Sequence, residues 1–247
     1  MIKINLIIAA VFLMFLQSFA QDTNEIQKDS RIPLIGENAP SFSAETTRGK
    51  LNFPDDYFGK WKILFSHPAA FTAVCSSELL ELADLQDEFD KLGTKLVVMS
   101  TDGLSSHIEW VKSLGTISYK DHGPIKINFP LVSDPNLEIS RKYGMIHSLS
   151  STTRDIRGVF IIDGNNKIRA IFFYPMNVGR NIDEIKRTLI ALQTSENKNI
   201  LTPANWLPGQ DVLLPSPRTS EDADKIAKKN DPDLYQLTWY MWFKRMK

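Results

Sequence analysis

One thiol is present in the 247 residues, and it stands in the stretch SHPAAFTAVCSSE, residues 66–78. A lone cysteine can be inert and buried, can link two chains, or can act as a nucleophile, and only the last needs special surroundings. Cys75 follows the apolar run WKILF (Trp61–Phe65) and precedes an amphipathic segment. Its sulfur is therefore expected near free backbone N–H groups and the positive end of a helix dipole, both of which favour the thiolate. Position alone leaves the inert and the reactive readings evenly matched. Around the cysteine, Pro68, Thr72 and Cys75 fall in the spacing P-x-x-x-T-x-x-C, with Glu78 one turn further on. Taken singly, Thr72 reads as a helix cap, Pro68 as a turn residue and Glu78 as part of a solvated helix face. His67, eight residues before the cysteine, raises a Cys–His hydrolase pair, but no signature of such an enzyme accompanies it. His107, His122 and His147 are scattered without ligand spacing, so no metal is expected, and no other cofactor is called for.

The elements that must hold these residues alternate. WKILF, KLVVMS (Lys95–Ser100), GVFIID (Gly158–Asp163) and IRAIFFY (Ile168–Tyr174) are short and rich in β-branched or aromatic residues, as buried strands are. Between them SSELLELADLQDEFDKLG sets Leu79, Leu82, Leu85 and Phe89 on one helix face, with Gly93 as its stop. Further helices are expected in Ser105–Gly115, in DPNLEISRKYG with Asp134 as cap and Pro135 in its first turn, and in Asn181–Gln193. Strands alternating with helices give an α/β class. From about Thr194 the pattern changes: TPANWLPGQDVLLPSP has four prolines and little periodicity, and LYQLTWYMWFKRMK ends the chain with crowded aromatics. Such a tail is expected to pack on the main domain or a partner subunit; contact with a membrane surface is the lesser alternative.

The first twenty residues place Lys3 before an apolar run and end Ser18-Phe19-Ala20, the form of a secretory signal with cleavage after Ala20. A single membrane anchor is the competing reading, although the run is near the short end of the about 17–25 residues a span requires. A polar lead, residues 21–31, is expected to be mobile. Twenty-nine basic and 29 acidic residues leave no net charge, so nothing here offers a footprint for nucleic acid. An exported chain ordinarily uses cysteines in pairs, which makes a single one the more notable.

The P-x-x-x-T-x-x-C stretch, the strand before it, RGVFIID at Arg157–Asp163 and YPMNVGRNIDEI at Tyr174–Ile185 together resemble the peroxiredoxin family, thiol peroxidases of thioredoxin-like fold. TPANWLPGQDVLLPSP, from Thr202, and the Y-P-x-x-x-G-R-N pattern that contains Arg180 are similar to the one-cysteine, peroxiredoxin 6-like branch. The likeness runs from about Ile32 to near Lys229. It implies a thioredoxin-like peroxidase domain over residues 32–195 and a smaller C-terminal region, 196–247, at a homodimer interface. It also implies that Cys75 is the nucleophile, Thr72 binds the peroxide through its hydroxyl, Pro68 shapes the turn and keeps water off the sulfur, and Arg157 holds the thiolate and the polarised O–O bond. Glu78 would orient Arg157, Arg180 would add a second positive charge, and His67 would assist the pocket or serve the structure. Donors and cations of this kind lower the barrier because charge spreads from sulfur to oxygen as the bond breaks.

Two departures from the family pattern stand out. Relatives place proline two residues before the nucleophile where this chain has Ala73, so the first helical turn is free to start earlier or be less rigid. The G-x-S-x-G serine associated with phospholipase activity in this branch has no counterpart in Phe58-Gly59-Lys60-Trp61-Lys62, so lipase activity is not carried over. With no second cysteine, a sulfenic acid on Cys75 must be resolved by an external thiol: glutathione, a thioredoxin-like protein or a small thiol. A peroxide sensor or holdase chaperone using the same cysteine is the alternative reading.

Overall fold

The computed structural model describes residues 31–121, 123–196 and 199–246; the expected signal peptide, most of the polar lead, and His122 lie outside them. The chain divides into two compact units, one up to Arg180 and one from Asn181. The first is built on β1 (Phe42–Thr46), β2 (Gly49–Phe53), β3 (Trp61–Ser66), β4 (Thr94–Ser100), β5 (Leu131–Ser133), β6 (Arg157–Ile162) and β7 (Ile168–Tyr174), in one sheet of order β2-β1-β5-β4-β3-β6-β7. Pairing is parallel for β3–β4 and β4–β5 and antiparallel elsewhere. This mixed sheet with its helices is the α/β class expected from the alternation and the thioredoxin-like fold that the resemblance implies. The central β3 explains its own sequence: Ile63, Leu64 and Phe65 are fully buried, because both faces of the strand are covered and no alternation with polar residues is needed.

Helix α1 (Ala73–Lys91) buries Cys75, Glu78, Leu79, Leu82 and Phe89, spacings of three and four that make one stripe, while Leu85 is only half-buried. The periodicity that packs the leucines therefore also turns Cys75 and Glu78 inward. The helix stops at Leu92, and Gly93 follows in the left-handed region at φ 64°. Helix α2 (Leu104–Leu114) buries His107, Trp110 and Leu114. The helix expected from Asp134 onward is shorter than its pattern promised. Helix α3 spans only Glu138–Lys142, and its flanking residue is Leu137 at φ 62°. Asp134 still serves it from outside, because its carboxylate accepts from the amides of Glu138, Ile139 and Ser140 and from Ser140 Oγ. The hairpin β1–β2 and the three-residue β5 did not announce themselves as apolar runs.

The second unit comprises α4 (Ile182–Ser195), β8 (Val212–Leu213), α5 (Ser220–Ala227), β9 (Leu234–Thr238) and β10 (Met241–Lys244), with the strands in the order β8-β10-β9, all antiparallel. Asn181 caps α4 by accepting from Glu184 N. Ala191, Ile200, Trp206 and Val212 form the core of this unit. The aromatic tail divides: Trp242 is buried, whereas Trp239 and Tyr240 at the β9–β10 turn are about half exposed, at 52 % and 50 %. Among the described residues no helix is long and apolar enough to cross a membrane.

Candidate active site

The site forms where β3 ends, α1 begins and β6 starts. Thr72 occupies the N-cap of α1 in extended conformation (φ −106°, ψ 146°), and Ala73 is the first helical residue. An extended residue followed by helix is the backbone that a proline at position 73 would also require, so alanine there leaves the helix start in place. Thr72 does not cap with its side chain; its hydroxyl donates to Ala69 O at 2.9 Å. That donation commits the hydrogen and leaves oxygen lone pairs to accept from another O–H. Pro68 is buried in the preceding turn.

Cys75 is fully buried, and Arg157 Nη1 donates to its Sγ at 3.3 Å. The same nitrogen donates to Glu78 Oε2 at 2.8 Å, while Nε and Nη2 of Arg157 donate to Met176 O. The guanidinium is thus fixed on three sides. β6 delivers it: the antiparallel register pairs Phe65 with Val159, which sets Gly158 beside Ser66 and Arg157 at the mouth of the sheet. Gly158 N donates to Ser66 Oγ, which in turn donates to Ile156 O. A side chain at 158 would stand 3.0 Å from Ser66 Oγ, so the close approach needs glycine.

Glu78 is not on a solvated face. Its carboxylate, 2 % exposed, also receives Arg180: Nε and the amide of Arg180 donate to Oε1 and Nη2 to Oε2, at 2.6–2.9 Å. Arg180 Nη1 donates to Ser66 O and Gly158 O, and its guanidinium lies 5.2 Å from the Phe65 ring centroid. Two buried cations therefore share one buried anion, leaving a formal charge of +1 that a Cys75 thiolate cancels. Arrangements of fixed, desolvated donors around a developing anion are what lower barriers for bond-breaking at oxygen.

His67 stands apart from this hydrogen-bonding set. It is fully buried, and its ring packs 5.0 Å from Trp110 and 5.9 Å from His107. Burial first, and then His107, Arg180 and Arg157, hold its pKa well below the usual imidazole value, so it is neutral at pH 7. Trp110 Nε1 donates to Ser76 Oγ, the residue after the cysteine. Sequence reasoning did not find Met176 or Ser66 as partners, because both act through backbone or turn geometry. Among the described residues no group of three or more metal-ligating side chains occurs.

Comparisons with known proteins point to one family. The AhpC/TSA family model matches residues 35–171, and the C-terminal domain of 1-Cys peroxiredoxin matches residues 191–230. A peroxiredoxin of Methanosarcina mazei is 46 % identical over 215 residues, covering 87 % of this chain and 98 % of its own; one of Aquifex aeolicus is 40 % identical, covering 87 % and 98 %. Among solved structures, the yeast mitochondrial 1-Cys peroxiredoxin, described with thiol resolution through glutathione/thioredoxin systems, superposes with a TM-score of 0.75 at 34 % identity, covering 86 % of this chain and 99 % of that one. The peroxiredoxin 6 of Arenicola marina gives 0.75 at 31 % identity, covering 87 % and 99 %. The one thiol of this sequence is the one that the motif surrounds. The chain belongs to the peroxiredoxin family, and it is a thiol-dependent peroxidase with a single cysteine to do the work.

Proposed function

We propose that Cys75 attacks the terminal oxygen of hydrogen peroxide or an organic hydroperoxide as a thiolate. An S–O bond forms as the O–O bond breaks, and the leaving hydroxide or alkoxide takes a proton from water. Thr72 Oγ1 accepts from the peroxide O–H, Arg157 Nη1 stabilises sulfur and the oxygen being transferred, and Glu78 and Arg180 hold Arg157 in place. Pro68 closes the turn against water, and His67 supports the pocket wall as a neutral ring. The observation that carries this reading is the 3.3 Å contact between Arg157 Nη1 and Cys75 Sγ inside a cluster that lacks one negative charge.

An external thiol completes the cycle. A first thiol displaces water from the Cys75 sulfenic acid to give a mixed disulfide, and a second releases the cysteine with formation of the reductant's own disulfide. Glutathione or a thioredoxin-like protein is the proposed donor, supported by the single cysteine and by the systems named for the yeast relative. The reading extends to the peroxiredoxin 6-like branch, to division into residues 32–195 and 196–247, to a homodimer involving the latter, and to export after cleavage near Ala20, for which the support is the N-terminal pattern. Turnover of hydrogen peroxide with a panel of thiols tests the proposal: activity is expected with at least one of them and is lost in Cys75→Ser. Peroxide decay unchanged by that substitution overturns it. A holdase or sensor role would instead survive in Cys75→Ser or appear only on oxidation.

A further inference from the structure

Between β3 and α1 the chain turns through Ala69, Ala70 and Phe71, and the last of these is held in the left-handed region at φ 56° with its ring 59 % exposed. A bulky residue does not stay there without restraint. Thr72 follows directly, so the placement of its hydroxyl depends on this tip; the bond from Thr72 Oγ1 to Ala69 O lies within the tip itself. Among the described residues, one hydrogen bond ties the segment 69–71 to another element: Ala70 N donates to Asp102 Oδ2 at 2.6 Å.

Asp102 lies in the turn between β4 and α2, and it is itself oriented. Its Oδ2 accepts from Ser100 Oγ at 3.1 Å, its amide donates to Ser100 Oγ at 3.1 Å, and its carbonyl accepts from Ser133 Oγ at 2.9 Å. Ser100 Oγ lies 2.8 Å from His107 Nε2 in a buried contact. Because Ser100 gives its hydrogen to Asp102, it accepts from His107, which sets the imidazole as the Nε2–H tautomer. Burial lowers the His107 pKa to about 4, so the ring is neutral at pH 7. A chain of donors thus runs from His107 through Ser100 to a carboxylate that grips the backbone two residues before Thr72.

We propose that Asp102 is a positioning residue for the peroxidase reaction: gripping Ala70 N, and oriented by Ser100 and His107, it sets the turn from which Thr72 meets the peroxide. This rests on the reading of Thr72 as the peroxide contact. Asp102 touches neither the sulfur nor its cations, so it acts on the encounter with peroxide and not on the thiol.

The test compares two reactions of Cys75, with hydrogen peroxide and with iodoacetamide, in Asp102→Ala, Asp102→Asn, Thr72→Val and the Asp102→Ala/Thr72→Val double variant. A misplacement of this kind is expected to lower the second-order rate constant for peroxide about 10- to 100-fold in Asp102→Ala. The alkylation rate and its pH midpoint should stay at the parent values, and the double variant should be no slower than Thr72→Val alone. Asp102→Asn, which keeps an acceptor oxygen, should restore the rate to within about threefold of the parent. The proposal is overturned if Asp102→Ala reacts with peroxide within twofold of the parent, if alkylation falls in step with peroxide reactivity, or if the two losses multiply. If Thr72→Val itself leaves the peroxide rate intact, the Thr72 reading fails and takes this one with it, whereas loss in Thr72→Val alone defeats only the role of Asp102. Should the alanine variant not fold, Ser100→Ala decides: a fall of about threefold or more in peroxide rate with alkylation intact is required.

Discussion

Glu78 is the residue on which both arginines of the site converge, and its loss should be felt beyond catalysis. Glu78→Gln would leave Arg157 and Arg180 buried with no carboxylate between them. Removing one partner of a buried ion pair costs about 3–5 kcal/mol, so urea unfolding should show a stability loss of that order. The peroxide rate constant should fall by about 100-fold or more as Arg157 loses its restraint. A variant as stable as the parent would mean that the two guanidiniums find other acceptors. Most of the participants at this scale were readable in the sequence, because Pro68, Thr72, Cys75 and Glu78 sit within eleven consecutive positions and Arg157 and Arg180 lie in recognisable stretches. What could not be read are the carbonyls of Met176, Ser66 and Gly158 that receive the arginines, since a backbone acceptor has no residue signature. Glu78 read singly as a surface residue, and only the stripe through Cys75, Leu79 and Leu82 shows why it faces inward.

At the scale of elements, the entry to β6 carries a group that belongs to no catalytic contact. Asp155 is fully buried, and burial, followed by the nearby Asp134 and Asp102 carboxylates, raises its pKa well above the ordinary value despite an opposing interaction with Ser140. Folding therefore favours its protonated form. Between its unfolded value, near 3.8, and its raised folded value, the native chain binds more protons than the unfolded one, so stability contributed here falls as pH rises through that window. Asp155→Asn removes the titrating group, and its advantage over the parent should grow as pH rises above about 4 through that window, by up to about 1.4 kcal/mol per pH unit. A difference in unfolding free energy that does not vary with pH would contradict this. The long elements were legible from periodicity, but β1 and β2 were not: FSAET and GKLNF are short, partly polar strands of an edge hairpin. β5, with three residues, gains its place from pairing with β4 and not from its own composition. The segment after Asp134 fell short as a helix because Leu137 interrupts it in the left-handed region.

For the whole molecule, the aromatic end of the chain leaves one hairpin incompletely packed. Leu237, Trp239 and Tyr240 leave half or more of their surface exposed at one hairpin, an apolar cluster of the kind that association covers. If the chain forms the proposed homodimer through this hairpin, Trp239→Ser should shift the solution mass toward the monomer at low micromolar concentration while leaving thiol alkylation unchanged. A mass identical to that of the parent across dilution would rule this hairpin out as an interface. The three-stranded sheet of the C-terminal unit was hidden in the sequence behind prolines and aromatics that read as irregular.

The surplus positive charge around the sulfur has a bearing on how the protein must be interrogated. Serine is nearly the shape of cysteine but stays neutral, so replacing the nucleophile with it leaves two buried guanidiniums to share the single Glu78 carboxylate. The inactive form thus differs from the thiolate form of the enzyme in charge as well as in its nucleophile. An aspartate in the same position would silence the chemistry while restoring the missing anion, and comparison of the two isolates what the sulfur does from what its charge does.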